Sequence, residues 1–191
     1  MILSNTEILS AIKQSAIQIS PLAGEDPSQP PFNTSAIDLR LGNEVVVPKA
    51  DTPVQLDLRR SGIAKFLNDH SEKKTITEDQ PYSLRKNILV LGQTLERVAF
   101  PIHEDGTCYS ARVEGKSSVA RCGILVHFTA PTIHTGFEGH ITLEIINLGP
   151  VDFLLTPNMF ICQLIVEEVR GTPANAPNQF KGQNTPSGLS R

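Results

Sequence analysis

The sequence predicts a mainly β fold, a barrel or sandwich preceded by one short helix. Two observations predict it. From residue 88 onward the chain is a series of short apolar runs, 88–91, 94–100, 108–113, 124–129, 140–147, 151–155 and 161–169, separated by Gly, Pro and Asn. Helix-start signals are clear only near the N-terminus, with a weaker helical pattern near 62–70.

Taken in order, Ser4-Asn5-Thr6-Glu7 fits a capping box, with Ser4 as N-cap and Glu7 reaching back. Ile8, Leu9, Ile12 and Ile17 follow at partly helical spacing. The Pro-rich stretch 21–31 breaks regular structure. Across 35–47, Ile37, Leu39 and Leu41 alternate with Asp38, Arg40 and Gly42, the pattern of one half-buried strand. Residues 51–82 form a polar, charged insert. The Pro-, Asn-, Gln- and Gly-rich tail reads as mobile unless a ligand orders it. The expected organisation is one domain over 1–171 with a C-terminal tail over 172–191.

Composition narrows the function. The chain has 191 residues, 39% of them hydrophobic, enough for a packed core. A net charge of -3 disfavours a nucleic-acid coat, which needs a basic face, but allows a small anionic ligand held by a few local cations. No apolar run is long enough for a membrane span, and no basic segment leads into an apolar one, so the expected location is cytoplasmic. Cys108, Cys122 and Cys162 are too scattered for a disulfide framework and read as reduced core thiols.

Two segments carry candidate chemistry. In Gly115-Lys116-Ser117-Ser118-Val119-Ala120-Arg121-Cys122-Gly123, glycines bracket room for a helical turn or two. One turn brings Ser117 and Arg121 to the same face. Free N–H groups, hydroxyls and a guanidinium make an anion site, although the pattern equally fits a capped surface helix with a solvated Arg. It is no P-loop, because Ser110 stands where that motif needs its first Gly. In Gly136-Phe137-Glu138-Gly139-His140-Ile141-Thr142-Leu143-Glu144, period two sets Ile141 and Leu143 against Thr142 and Glu144. A carboxylate in such a strand is costly unless paired, solvated or used, and all three remain open. A zinc deaminase needs His-x-Glu and Cys-x-x-Cys, and this chain has no Cys-x-x-Cys. Its histidines, His70, His103, His127, His134 and His140, form no ligand motif, so no metal-ligating side chains are expected. A Gly-x-Ser-x-Gly nucleophile elbow is also missing.

Together these segments resemble the signature of the dCTP deaminases, within the dCTP deaminase/dUTPase superfamily. The likeness takes in Leu125-Val126-His127-Phe128-Thr129-Ala130 and Ser35-Ala36-Ile37-Asp38-Leu39-Arg40-Leu41-Gly42. It also takes in Thr94-Leu95-Glu96 and Phe180-Lys181-Gly182-Gln183. The resemblance implies a distorted β-barrel or jelly-roll, a homotrimer with sites between subunits, and zinc-independent deamination of magnesium-bound dCTP to dUTP. It implies Glu144 as general base and acid, with Ser117 and Arg121 lining the reaction centre. Lys116, standing where many members carry Arg, would meet phosphate with Ser117 and Ser118. Thr142 and the backbone near Ala130 would face base and sugar. Phe180 and Gln183 would close as a lid, and dTTP is the implied inhibitor. Two departures matter. His134 replaces the Asp that dUTP-hydrolysing members carry, which weighs against diphosphatase activity, and leaves a possible sugar hydrogen bond. Gln179 stands where a phosphate-binding Lys occurs, with Lys181 nearby. The other readings are a dUTP diphosphatase, alone or combined with deamination, and a non-catalytic dCTP/dTTP-binding regulator.

Overall fold

The computed structural model of the chain describes residues 1–49, 57, 63–104, 106–174, 176, 182 and 184–187. Most of 50–62 and of the tail, with Gln179, Phe180, Lys181 and Gln183, lies outside the described residues.

Helix α1 (Asn5–Lys13) starts as expected, with the Ser4 hydroxyl accepting from the Glu7 N–H at 3.4 Å. It stops at Lys13, so Ile17 is not on it; Ile17 is instead fully buried just before β1 (Gln18–Ser20). After the Pro-rich stretch come β2 (Phe32–Asn33), β3 (Ala36–Arg40) and β4 (Glu44–Pro48). The single strand expected over 35–47 is therefore two, belonging to different sheets. It is also not half-buried: Asp38 is 7% exposed, because it is enclosed by an Asn and a Lys from elsewhere in the chain.

Within the insert, α2 (Ile63–Asp69) matches the expected helix and β5 (Ser71–Thr75) follows. Then come β6 (Tyr82–Leu84) and β7 (Leu89–Ala99). Two expected runs have fused in β7, because Gly92 does not break the strand. A Cβ there would lie 3.0 Å from Leu41 Cδ1 and 3.2 Å from Ile145 Cδ1, so the glycine makes room for core side chains. The chain continues through β8 (Cys108–Gly115), α3 (Ser117–Ala120), β9 (Ile124–Val126), β10 (Thr132–Ile133), β11 (Glu138–Asn147), β12 (Phe153–Leu155) and β13 (Phe160–Val169).

All strand pairings are antiparallel. One sheet runs β5-β4-β7-β11-β9, with β1 also on β7; the other runs β10-β8-β13-β3-β2; β12 and β6 pair separately. A single hydrophobic cluster takes side chains from both large sheets, including Val90, Leu143 and Ile145 from the first and Ile37, Val113 and Leu164 from the second. The result is a jelly-roll-like sandwich, and the strand pairings among the described residues do not close into a ring. Cys108 and Cys162 are buried thiols as expected; Cys122 is exposed, because it follows α3 at the surface. No helix among the described residues is long and apolar enough to cross a membrane.

Candidate active site

Strand β11 alternates as its sequence predicts. Ile141, Leu143 and Ile145 are buried, whereas Thr142 and Glu144 face outward, the Glu144 side chain at 35% exposure. Strand β9 pairs with β11 through Val126 and Ile145. The next residue, His127, leaves the strand at φ 57, a left-handed conformation that His tolerates better than most side chains. Its N–H still donates to the Glu144 carbonyl at 2.9 Å.

This turn folds the His127 ring back over β11. Nε2 lies 2.8 Å from the Ala130 carbonyl oxygen and therefore donates to it. Nδ1 lies 2.9 Å from Glu144 Oε2. With the ring protonated the two make an ion pair. A neutral ring with its proton on Nε2 would set two lone pairs against each other at Nδ1 and Oε2. The contact therefore favours the imidazolium. Burial opposes that charge. The Glu144 carboxylate and the Ala130 and Thr142 backbone together outweigh it, leaving the His127 pKa above its ordinary value.

Helix α3 forms the expected turn. The Ala120 N–H donates to the Lys116 carbonyl and the Arg121 N–H to the Ser117 carbonyl, at 2.9 and 3.1 Å, which stacks Arg121 one turn above Ser117. Ser117, Ser118 and Arg121 are exposed. The turn is pinned from behind. Gly123 has φ +84, and a Cβ on it would lie 2.5 Å from Gly149 Cα; a Cβ on Gly149 would lie 2.1 Å from the Cys122 carbonyl oxygen. The Leu148 N–H donates to the Gly123 carbonyl at 2.8 Å. Asn147, fully buried at the end of β11, accepts from the Gly149 N–H and donates to the Leu84 and Val151 carbonyls at 2.8 and 2.9 Å. The segment that ends the Glu144 strand thus fixes the end of α3.

The predicted site residues are gathered only in part. Glu144, Thr142 and Ala130 adjoin one another through His127. Among the described residues no hydrogen bond or ion pair joins Glu144 to Ser117 or Arg121. Lys116 is ion-paired with Asp38 and lies with its ammonium 5.7 Å from the centre of the Phe160 ring. His134 is exposed immediately after β10. Gly182, between the two expected lid residues, donates its N–H to the Glu138 carbonyl at 2.7 Å. A concavity lined by Gln14, His103, Glu104 and Tyr109 contains none of the predicted site residues. Sequence reasoning did not single out His127 or Asp38. Both stand inside the quoted motifs, but no spacing rule links them to Glu144 or Lys116.

Comparison with known proteins places the chain in a family. The family description "dCTP deaminase-like" matches residues 2–169. The dUMP-forming dCTP deaminase of Methanobrevibacter smithii is 37% identical over 185 residues, spanning 96% of this chain and 88% of its own. The dCTP deaminase of Haloarcula marismortui is 37% identical over 193 residues, spanning 97% and 92%. The crystal structure of 2'-deoxycytidine 5'-triphosphate deaminase from Agrobacterium tumefaciens superposes with a TM-score of 0.63 at 18% identity, covering 88% of this chain. This chain spans less than half of that longer one, 47%, and the likeness concerns the fold. With a family match over nearly its whole length and relatives this similar, the chain belongs to the dCTP deaminase-like family.

Proposed function

We propose that the chain hydrolyses dCTP to dUTP and ammonia, with Glu144 moving the proton. The observation that carries this reading is the Glu144 carboxylate, set on the outer face of β11 and met within the chain by a ring held on the Ala130 carbonyl. A carboxylate so placed takes a proton from water as the water oxygen attacks cytosine C4, then returns it to the departing amino group. Ser117 and Arg121 are assigned to the reacting water and the developing charge. Lys116, Ser117 and Ser118 are assigned to the phosphates, and Thr142, Ala130 and His134 to base and sugar. Phe180 and Gln183 are assigned to a closing tail, a role supported by the Gly182 contact with β11.

The described residues offer no group of three or more His, Cys, Asp or Glu side chains suited to a metal. Magnesium enters this proposal on the triphosphate, as part of the substrate, and the proposal gives zinc no role. The exposure of Ser117, Ser118 and Arg121 suits a site completed by other copies of the chain, and the proposal places it in a homotrimer. Free thiols support a reducing, cytoplasmic setting. Inhibition by dTTP belongs to the same proposal.

A second reading, further hydrolysis to dUMP, is favoured by the similarity to the dUMP-forming dCTP deaminase of Methanobrevibacter smithii. His134 in place of a carboxylate weighs against it. Product analysis after separate incubation with magnesium-dCTP and magnesium-dUTP decides: ammonia with dUTP supports the proposal, dUMP supports the second reading, and binding without product overturns both.

A further inference from the structure

The Asp38-Leu39-Arg40 and Thr94-Leu95-Glu96 segments have no part in the chemistry above, yet they meet beside Lys116. Strand β13 lies between β3 and β8, so that Gln163 pairs with Asp38 on one side and with Glu114 on the other. Cys162 likewise pairs with Leu39 and Gly115. Asp38 therefore stands level with Glu114 across β13, and the Lys116 side chain, from two residues beyond Glu114, reaches it. Asp38 Oδ2 takes the Lys116 ammonium, and Asp38 Oδ1 accepts from Asn33 Nδ2 at 2.9 Å. The Asp38 side chain is 8% exposed and that of Lys116 23%. Two residues along β3, Arg40 donates its N–H and Nε to Glu96, which is 2% exposed, at 2.8 and 2.7 Å. Arg40 is thereby occupied and does not compete for Asp38.

A surface lysine ordinarily spreads over many rotamers and presents a diffuse charge. Here the ammonium is confined by a carboxylate that is itself held by Asn33, and it lies near the face of Phe160. An ammonium has three donors, so the contact with Asp38 leaves donors for another acceptor. We propose that Asp38 is a positioning residue, holding the Lys116 ammonium in place so that its remaining donors meet the substrate triphosphate. This rests on the reading that Lys116 binds phosphate.

The sign of the effect separates this role from a simpler one. If Asp38 acted only through its charge, neutralising it would tighten anion binding. If it positions Lys116, neutralising it weakens binding even though the site becomes more positive.

The experiment measures, by calorimetry with magnesium present, the binding of inorganic tripolyphosphate and of dCTP, together with steady-state deamination. Asp38→Asn is expected to weaken both ligands about tenfold, with the change in KM and not in kcat. In a double-variant cycle, Asp38→Asn adds nothing to Lys116→Gln, because its effect runs through that side chain. Asn33→Ala, at an exposed residue, keeps the Asp38 charge but loosens it, and is expected to weaken tripolyphosphate binding about threefold. Unchanged or tighter binding in Asp38→Asn, or losses that multiply in the double variant, overturn the proposal. If Asp38→Asn does not fold, unchanged binding in Asn33→Ala overturns it alone. A wild-type chain that binds tripolyphosphate but releases no ammonia from dCTP ends the deaminase reading only. One that binds neither ligand ends both.

Discussion

His127 Nδ1 lies 2.9 Å from Glu144 Oε2, and its Nε2 holds the Ala130 carbonyl at 2.8 Å. One ring thus ties the proposed base to the loop assigned to the pyrimidine. His127 follows Val126, the partner of Ile145, so it stands beside Glu144, and its backbone there is left-handed.

Glu144→Gln keeps the shape of the side chain and removes its basicity. Deamination of dCTP should fall by about 10²–10⁴-fold in kcat, while calorimetry still detects dCTP binding. Near-normal turnover would remove Glu144 from the mechanism.

The raised His127 pKa makes part of the stability pH-dependent. A group whose folded pKa lies above its unfolded value contributes fully below the unfolded value, about 6.5, and the contribution is lost as pH rises through the folded pKa. Wild type should therefore exceed His127→Gln in denaturant midpoint by most under mildly acidic conditions, with the gap narrowing as pH rises. A gap that widens with pH would mean the ring is neutral in the native state.

Gly149→Ala places a methyl group 2.1 Å from the Cys122 carbonyl oxygen, where backbone must move. The expected cost is about 2–4 kcal/mol of stability by urea denaturation, with reduced activity in whatever remains folded, because the end of α3 is displaced. Wild-type stability would show that the two turns are not in contact.

Metal dependence follows from where magnesium is placed. A zinc-selective chelator should leave dCTP turnover intact while magnesium is in excess. Removing magnesium should raise the KM for dCTP, because the triphosphate then arrives with its full charge. Loss of activity to the zinc chelator, restored by zinc alone, would require a different mechanism.

Much of this was legible along the chain because it depends on neighbours in sequence. Period two put Glu144 on the outer face of β11 and Ile141, Leu143 and Ile145 inside. The capping residue set the start of α1, and the glycines around α3 bounded its turn. Contacts between distant segments were not legible in the same way. That Asp38 is buried within β3 depends on Lys116 and Asn33 reaching it. That β7 runs unbroken through Gly92 depends on Leu41 and Ile145 filling the space. The pairing of His127 with Glu144 depends on the register of β9 against β11. Local periodicity tells each side chain which way to face, but only packing between distant strands decides which charges meet, since the energy of a buried pair lies in partners that no sequence spacing specifies.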